Sequence, residues 1–521
     1  MKRAATARDR RSSRRPAASP RRRVRTGPRK TAALPAPAEA AESFDPADWE
    51  KFRKVAHGAL DEAIDYVRTL RDRPLWRPIP ESVKTRLKEP APLEPQGLTR
   101  TLRDFRELVL AYPTGNIHPR FFGWVHGVGL PSGIVAELLA AALNSNCGAR
   151  NHGGLYVERA VLGWFVSVFG FPKGATGVIL TGTSMANLTG LAVARGARES
   201  RTIRARGLQN RPEPLVLYAS QEAHSSLIRA AEILGLGSEA LRLIPVDSEF
   251  RIDVGALRHA IAEDREAGRE PFCVVGTAGT VNTAAIDDLD ALADLCREQE
   301  LWFHVDGAFG SLAILSEKLR PRLRGIERAD SLAFDFHKWL HVQYDAGCLL
   351  VRDGKTHREA FSVRPAYLNP TTRGIAAGDD WPADFSPELS RGFRALKVWF
   401  ALKEHGLAAF GRAIERNCRQ ARYLADLVRR TPGAETLQEP SLNIVCFRFR
   451  PPGWKEADVD QLNEDVVADI QEAGVAAPST TRLRGTLQIR VNLTNHRTRQ
   501  DDLDLFVRAA SKAAAKRIAS R

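Results

Sequence analysis

The sequence predicts an α/β fold built on a mostly parallel sheet, and three observations predict it. Short apolar runs alternate with helical segments from about Gly177 onward. The runs are apolar throughout rather than at every second residue, as strands covered on both faces are. Polar residues close several of the runs, and open parallel sheets bind their ligands beyond those strand ends.

Taken in order, the chain opens with a segment rich in Arg, Ala, Pro and Ser. Residues 1–30 carry 13 Lys/Arg and one acid, so +12 of the formal +15 lies there and the other 491 residues carry +3. With no apolar period, residues 1–42 read as a disordered basic tail. They lack the apolar core of a secretory signal, and a transit peptide is the targeted alternative. "DPADWEKFRKVAHGALDEAIDYVRTL" then reads as a helix capped by Asp45, with Pro46 at its first position and Phe52, Val55, Leu60, Ile64 and Val67 at helical spacing. A proline-rich link follows over 74–95.

The alternating region comes next. "GVILTG", "PLVLYAS", "PFCVVGT", "LWFHVDG", "SLAFDF" and "GCLLVRD" are its strands, and "SMANLTGLAVARGAR", "SSLIRAAEILG" and "LDALADLCREQE" are among its helices. The last hundred residues read as a small α/β domain: strand "SLNIVCFRFR", helix "DVDQLNEDVVADIQEAG", strand "TLQIRVNLT" and helix "DDLDLFVRAASKAAAKRI". The expected domains are the tail 1–42, an N-terminal helical and extended segment 43–130, a large domain 131–420 and a small C-terminal domain 421–521.

Composition narrows the function. Hydrophobic content of 43% is ordinary for a globular protein, and no run of about 18 apolar residues suggests a membrane span. The six cysteines form no CxxC pair, which argues against a zinc site or a disulfide framework and fits a reducing cytoplasm. Nucleic-acid contact through the tail would be phosphate-driven, and no aromatic residue interrupts the tail to stack on bases.

Four strand ends carry chemistry. "TGTSMAN" puts Thr183 and Ser184 where a helix starts, an anion site by its amides and dipole; alone, Ser184 is a plain N-cap. "ASQEAHSS" offers His224, a flat ring able to stack on a planar ligand, or a capping histidine. "LWFHVDGAFG" ends on Asp306, with Gly307 and Ala308 leaving space; a buried carboxylate needs a partner, and the alternatives are a metal ligand or a helix cap. "DFHKWL" supplies Lys338, or a lysine merely paired with Asp335. Together the four match the needs of a phosphorylated pyridine aldehyde: helix amides for phosphate, a stacking ring, a carboxylate for the pyridine nitrogen and an amine for the aldehyde. The cofactor so inferred is pyridoxal 5′-phosphate (PLP), with Lys338 as its imine lysine.

At these residues the sequence resembles the group II PLP-dependent amino-acid decarboxylases, among them the aromatic-L-amino-acid decarboxylases. "GTSMANLTGLAVAR", "AHSSLIRAAEILG", "HVDGAFG", "DFHKWLHVQYDAG" and "LSRGFRALKVWFAL" carry the likeness, over roughly residues 45 to 515. "HPRFFGWVHG" and "IRVNLTNHRT" fit it too. The resemblance implies PLP fold type I, with a seven-stranded type of sheet and flanking helices, in a homodimer whose active site lies at the subunit interface. It implies Lys338 as the PLP lysine, Asp306 at the pyridine nitrogen, His224 and Ala308 on the two ring faces, and Thr183 and Ser184 at the phosphate. Asp335 takes a position near the phosphate, His337 stands beside Lys338, and Thr280 lies in "GTAGT", a segment bordering the cofactor. Trp124 and His126 are candidates for the substrate pocket.

The implied reaction is decarboxylation of an L-amino acid, with an aromatic side chain suggested by Trp124. Many members of that family carry a tyrosine on a mobile loop that protonates the substrate carbon. Residues 369–390 stand in that place and contain no tyrosine, none occurring between Tyr367 and Tyr423; Trp381 and Pro382 stand there instead. The donor is then His224 or a residue of a partner subunit, or the product is an aldehyde. An aldehyde synthase or another carbon–carbon lyase is therefore the competing reading, and a nucleic-acid-binding protein acting through its tail is the more distant one.

Overall fold

The computed structural model describes residues 43–521 other than Asn210 and Asp379, so the tail read at 1–42 lies outside the described residues. The chain divides into two units, Met1–Lys54 and Val55–Arg521, at a point inside the helix Trp49–Arg68. In the first unit Asp48 Oδ1 accepts the Lys51 amide at 3.0 Å. Asp48 therefore caps this helix in place of Asp45, three residues later than the sequence suggested. In the second unit the proline-rich link is interrupted by one short helix, Glu81–Arg86.

Seven strands form the large sheet: β1 Thr176–Leu180, β2 Leu215–Ser220, β3 Leu241–Ile244, β4 Glu270–Thr277, β5 Trp302–Asp306, β6 Ser331–Asp335 and β7 Gly347–Val351. Their order is β1-β7-β6-β5-β4-β2-β3. β2, β6 and β7 are buried along their whole length, as their unbroken apolar character requires. The sheet is mixed rather than purely parallel, because β7 runs against both β1 and β6. The cause is the short 336–346 connection, too brief for the crossover a parallel neighbour needs. Two reversals restore the direction, so β1 still ends on the same side as β4, β5 and β6. That side carries the site.

A second sheet takes β8 Ala434–Thr436, β9 Ile444–Phe449, β10 Ser479–Leu483 and β11 Thr486–Asn492, in the antiparallel order β10-β11-β9-β8. β3, β8 and β10 are short or half-polar, so their patterns did not announce strands. The helix Leu407–Arg429 packs Ala421, Leu424 and Val428 into the core of this sheet with Phe447 and Phe506. It also holds the large sheet's site segment. Trp339 Nε1 donates to Asn417 Oδ1 at 3.0 Å, Asn417 Nδ2 donates to the Asn495 carbonyl at 3.3 Å, and Gln420 Nε2 donates to the Thr498 carbonyl at 2.7 Å.

All six cysteines are buried and unpaired. Among the described residues no helix is long and apolar enough to cross a membrane, and no cluster of His, Cys, Asp and Glu is placed to hold a metal ion.

One buried ion pair lies beside β1 of the large sheet. Arg391 donates to Glu158 Oε1 at 2.6 Å and to Oε2 at 3.0 Å. The Ile179 amide donates to Glu158 Oε1 at 3.1 Å, and Arg391 also donates to the Ile179 carbonyl, so the pair pins β1 to the segment before the helix Arg394–His405. Both side chains are buried, and removing one partner strands the other charge. Glu158→Ala should lower unfolding free energy by about 3 kcal/mol or more, as read by denaturant melts of the two proteins.

Candidate active site

β1 ends at Leu180, and the chain turns at Gly182 into the helix Thr183–Arg206. A Cβ on Gly347 would stand 2.4 Å from the Gly182 Cα, so the backbones of the β1 turn and β7 touch there. Only glycine fits at Gly347. Thr183 is buried, and its Oγ1 has no hydrogen-bond partner. Its amide donates to Asp335 Oδ1 at 2.7 Å. Ser184, the next residue, is exposed to the cavity below.

Asp335 ends β6 and is buried. Lys338, one helical turn on, places its Nζ 3.0 Å from Asp335 Oδ2. Burial alone would depress the Lys338 ammonium, but Asp335 at contact distance overrides it and holds the pKa above its usual value. His337 faces the same carboxylate, with its Nε2 3.6 Å from Asp335 Oδ2; its Nδ1 accepts the Ala346 amide at 3.1 Å, and burial pushes its pKa down. The lysine is thus the partner of the Asp335 carboxylate, as the simpler sequence reading had it, and it also lines the cavity.

Asp306 ends β5 and is oriented from two sides. Its Oδ1 accepts the Ala308 amide at 3.2 Å and its Oδ2 accepts Asn187 Nδ2 at 2.9 Å. Asn187 is set in turn by Ser226 Oγ at 3.1 Å and by His304 Nε2 at 3.0 Å from its Oδ1, and His304 Nδ1 lies 2.7 Å from Ser331 Oγ. Burial pushes the His304 pKa down to about 3, so this ring is neutral and its Nε2 proton goes to Asn187. His224 precedes the helix Ser226–Ile233, accepts the Ser226 amide on Nδ1 at 3.1 Å, and is pushed toward the neutral form first by burial.

One cavity of about 560 Å³ gathers Trp124, His126, Thr183, Ser184, His224, Asp306, Ala308, Asp335, His337 and Lys338. Thr280 is the exception. It is fully buried, its hydroxyl lies 2.9 Å from Thr283 Oγ1 and accepts the Ala285 amide, and it closes a turn instead of facing the cavity. Thr277, at the end of β4, lines the cavity in its place.

Three lining or supporting residues and one on a neighbouring loop escaped the sequence reading. Asn187 carried a signal, since it lies one turn beyond Thr183 on the same helix face. Arg490 on β11 lines the cavity and is held by the carbonyls of Trp124 at 3.1 Å, Val281 at 2.6 Å and Asn282 at 3.3 Å. Burial pushes its pKa down to about 10. Tyr344 lies with its ring 4.3 Å from that of His337 and accepts the Gly127 amide on its hydroxyl at 3.0 Å. Tyr367 is the fourth. The connection between the helices Gly354–Phe361 and Arg394–His405 starts at residue 362, not 369, so it includes Tyr367, whose side chain is 73% exposed. The connection is thus longer than the 369–390 stretch considered above, and its first residues bring in Tyr367.

The Pyridoxal-dependent decarboxylase conserved domain matches residues 80–450. An aromatic-L-amino-acid decarboxylase of Bacillus atrophaeus is 35% identical over 473 residues, covering 90% of this chain and 96% of that protein. A phenylacetaldehyde synthase of Arabidopsis thaliana is 29% identical over 455 residues, covering 85% and 92%. Among solved structures, Oryza sativa TDC with PLP and tryptamine superposes with a TM-score of 0.84 at 25% identity, covering 91% of this chain and 99% of that one.

Proposed function

Because the chain belongs to the pyridoxal-dependent decarboxylase family, we propose that its strand-end cavity takes an aromatic L-amino acid and releases the carboxylate as CO₂, leaving the amine. The residues present fit pyridoxal phosphate. The unpartnered Thr183 hydroxyl at a helix start suits a phosphate oxygen. The close approach of Gly182 and Gly347 keeps that corner free of side chains. Asp306, fixed by Asn187 and the Ala308 amide, suits a ring nitrogen.

When bound, pyridoxal phosphate supplies an aldehyde that holds an amine and a cationic ring that accepts the electrons of a breaking Cα bond. Lys338 would hold the cofactor and Asp306 would keep the proton on its ring nitrogen. His224 and Ala308 would enclose the ring between them, and Ser184 would join Thr183 at the phosphate. Arg490 spends three of its five N–H donors on carbonyls, which leaves two for the substrate carboxylate.

The charge inventory of the cavity carries the aromatic reading. Asp306, Asp335, Lys338 and Arg490 are the Asp, Glu, Lys and Arg side chains lining it among the described residues. The first three serve the cofactor and the fourth serves the carboxylate, so no charge is left for an acidic or diamino side chain. Aromatic rings stand together on the remaining wall: Trp124 and His126 have ring centroids 5.8 Å apart, and His126 and Tyr344 lie 6.4 Å apart. Supplying aromatic, acidic and diamino L-amino acids to the cofactor-loaded enzyme should give amine and CO₂ from the aromatic ones. Equal turnover of a diamino acid would overturn this assignment.

Tyr367 bears on the product. Its phenol is exposed on the connecting loop and does not line the cavity of its own chain, and we assign it to deliver a proton to the substrate Cα in a neighbouring subunit. Tyr367→Phe should cut amine formation by about 100-fold and raise aldehyde, ammonia and peroxide at the expense of O₂, measured in one product assay. Lys338→Ala should abolish the pyridoxyl adduct that borohydride otherwise fixes on the peptide containing residue 338.

A second copy suits the helix Pro131–Leu143, which follows directly on the substrate wall. Only Gly133 and Ala136 are buried in it, while Leu138 is 54% and Leu143 62% exposed. Such an apolar face marks an association surface, which supports a homodimer. Leu138→Glu with Leu139→Glu should sediment as a monomer, where the parent sediments as a dimer. The cysteine-reducing surroundings of a cytoplasm fit the six unpaired thiols.

A further inference from the structure

A second cavity, of about 680 Å³, shares no lining residue with the first. Arg68, Arg71, Arg416, Arg419, Arg497 and Arg499 line it, and no Asp or Glu does. Three of these charges are offset by carboxylates set outside the lining: Arg68 by Asp65 at 2.8 Å, Arg71 by Asp502 at 2.8 Å and Arg419 by Glu415 at 3.7 Å. Glu415 is itself shared, with Lys318 Nζ at 3.8 Å from it.

The other three face no carboxylate at ion-pair distance among the described residues. Arg416 donates to the His496 carbonyl at 2.7 Å, and Arg497 donates to the carbonyls of Val128 at 3.2 Å and Gly129 at 3.0 Å. Carbonyls orient a guanidinium without neutralising it. Burial also pushes the Arg497 pKa down to about 10, the sign of a cation short of counter-charge. Three arginines without a carboxylate partner therefore line one concave site, and the field of such a basic cleft draws an anion.

We propose that this cavity binds a small multivalent anion carrying two or three negative charges, a diphosphate or a tricarboxylate. Guanidinium forks match the paired oxygens of either group. The volume falls in the range of small-molecule sites, roughly 300–1,000 Å³. The cofactor's own phosphate has its place in the other cavity, so this anion is an additional ligand. Its position gives it a route to the substrate wall. Arg497 holds the carbonyls of Val128 and Gly129, and Thr494 Oγ1 donates to the His126 carbonyl at 3.2 Å.

Calorimetric titration of the full-length protein, with pyridoxal phosphate kept saturating and ionic strength held with NaCl, tests the assignment. Sodium pyrophosphate and sodium citrate are titrated in separate arms, and the tighter of the two names the ligand class. The expected result is one saturable site per chain, weakened about tenfold or more when the exposed Arg416→Gln and Arg499→Gln changes are combined. Absence of saturable heat from both anions overturns the proposal, and so does unchanged affinity in the double variant. The heat is read without turnover, so a failure here is distinguishable from a failure of the decarboxylase reading.

Discussion

The site rests on one buried carboxylate. Asp335 closes β6, and its two oxygens take a helix-start amide from Thr183 and the ammonium of Lys338. A single charged group thereby joins the end of β6, the turn after β1 and the Lys338 amine. The price of burying it is met by those two partners, each a charge-assisted bond. The reversed β7 is what makes the arrangement possible. It slots between β1 and β6, and its glycine at position 347 lets the β1 turn close down to where its first amide reaches Asp335.

Around that junction each strand end contributes one function, and the contributions are rigid because they come from element ends. Asp306 is aimed by a chain of neutral groups running through Asn187 and His304 to Ser331. None of those groups carries charge, so the carboxylate's field toward the cavity stays undiminished. The small C-terminal sheet reaches into the same cavity through Arg490, and it grips the wall carrying Trp124 by its carbonyl. Both sheets therefore contribute side chains to the one cavity.

Much of this was legible in the sequence because the reactive groups sit in short local patterns. Lys338, Asp306, His224 and Thr183 each follow an apolar run, and a parallel sheet carries such ends to one edge. What stayed hidden depends on distant pairing. Arg490 meets Val281 across 209 residues, and Tyr344 meets Gly127 across 217, so no local pattern marks either. Thr280 differs for another reason: a threonine in a tight turn engages its hydroxyl in the turn itself, and the Thr277 side chain lines the cavity instead. Tyr367 lies just before the 369–390 stretch, on a connection that begins where the preceding helix ends at Phe361, and helical pattern alone does not mark that end.

The six buried thiols have a chemical consequence for an aldehyde cofactor. A thiolate adds readily to an aldehyde, and a neutral thiol does so poorly. Burial holds every one of these sulfurs in its protonated state, Cys147 at about 11 and Cys418 and Cys446 at about 12, with Cys273, Cys296 and Cys348 raised as well. None of them opens onto the cavity. With these sulfurs protonated and set apart from the cavity, an aldehyde held there is spared a self-inflicted sulfur adduct.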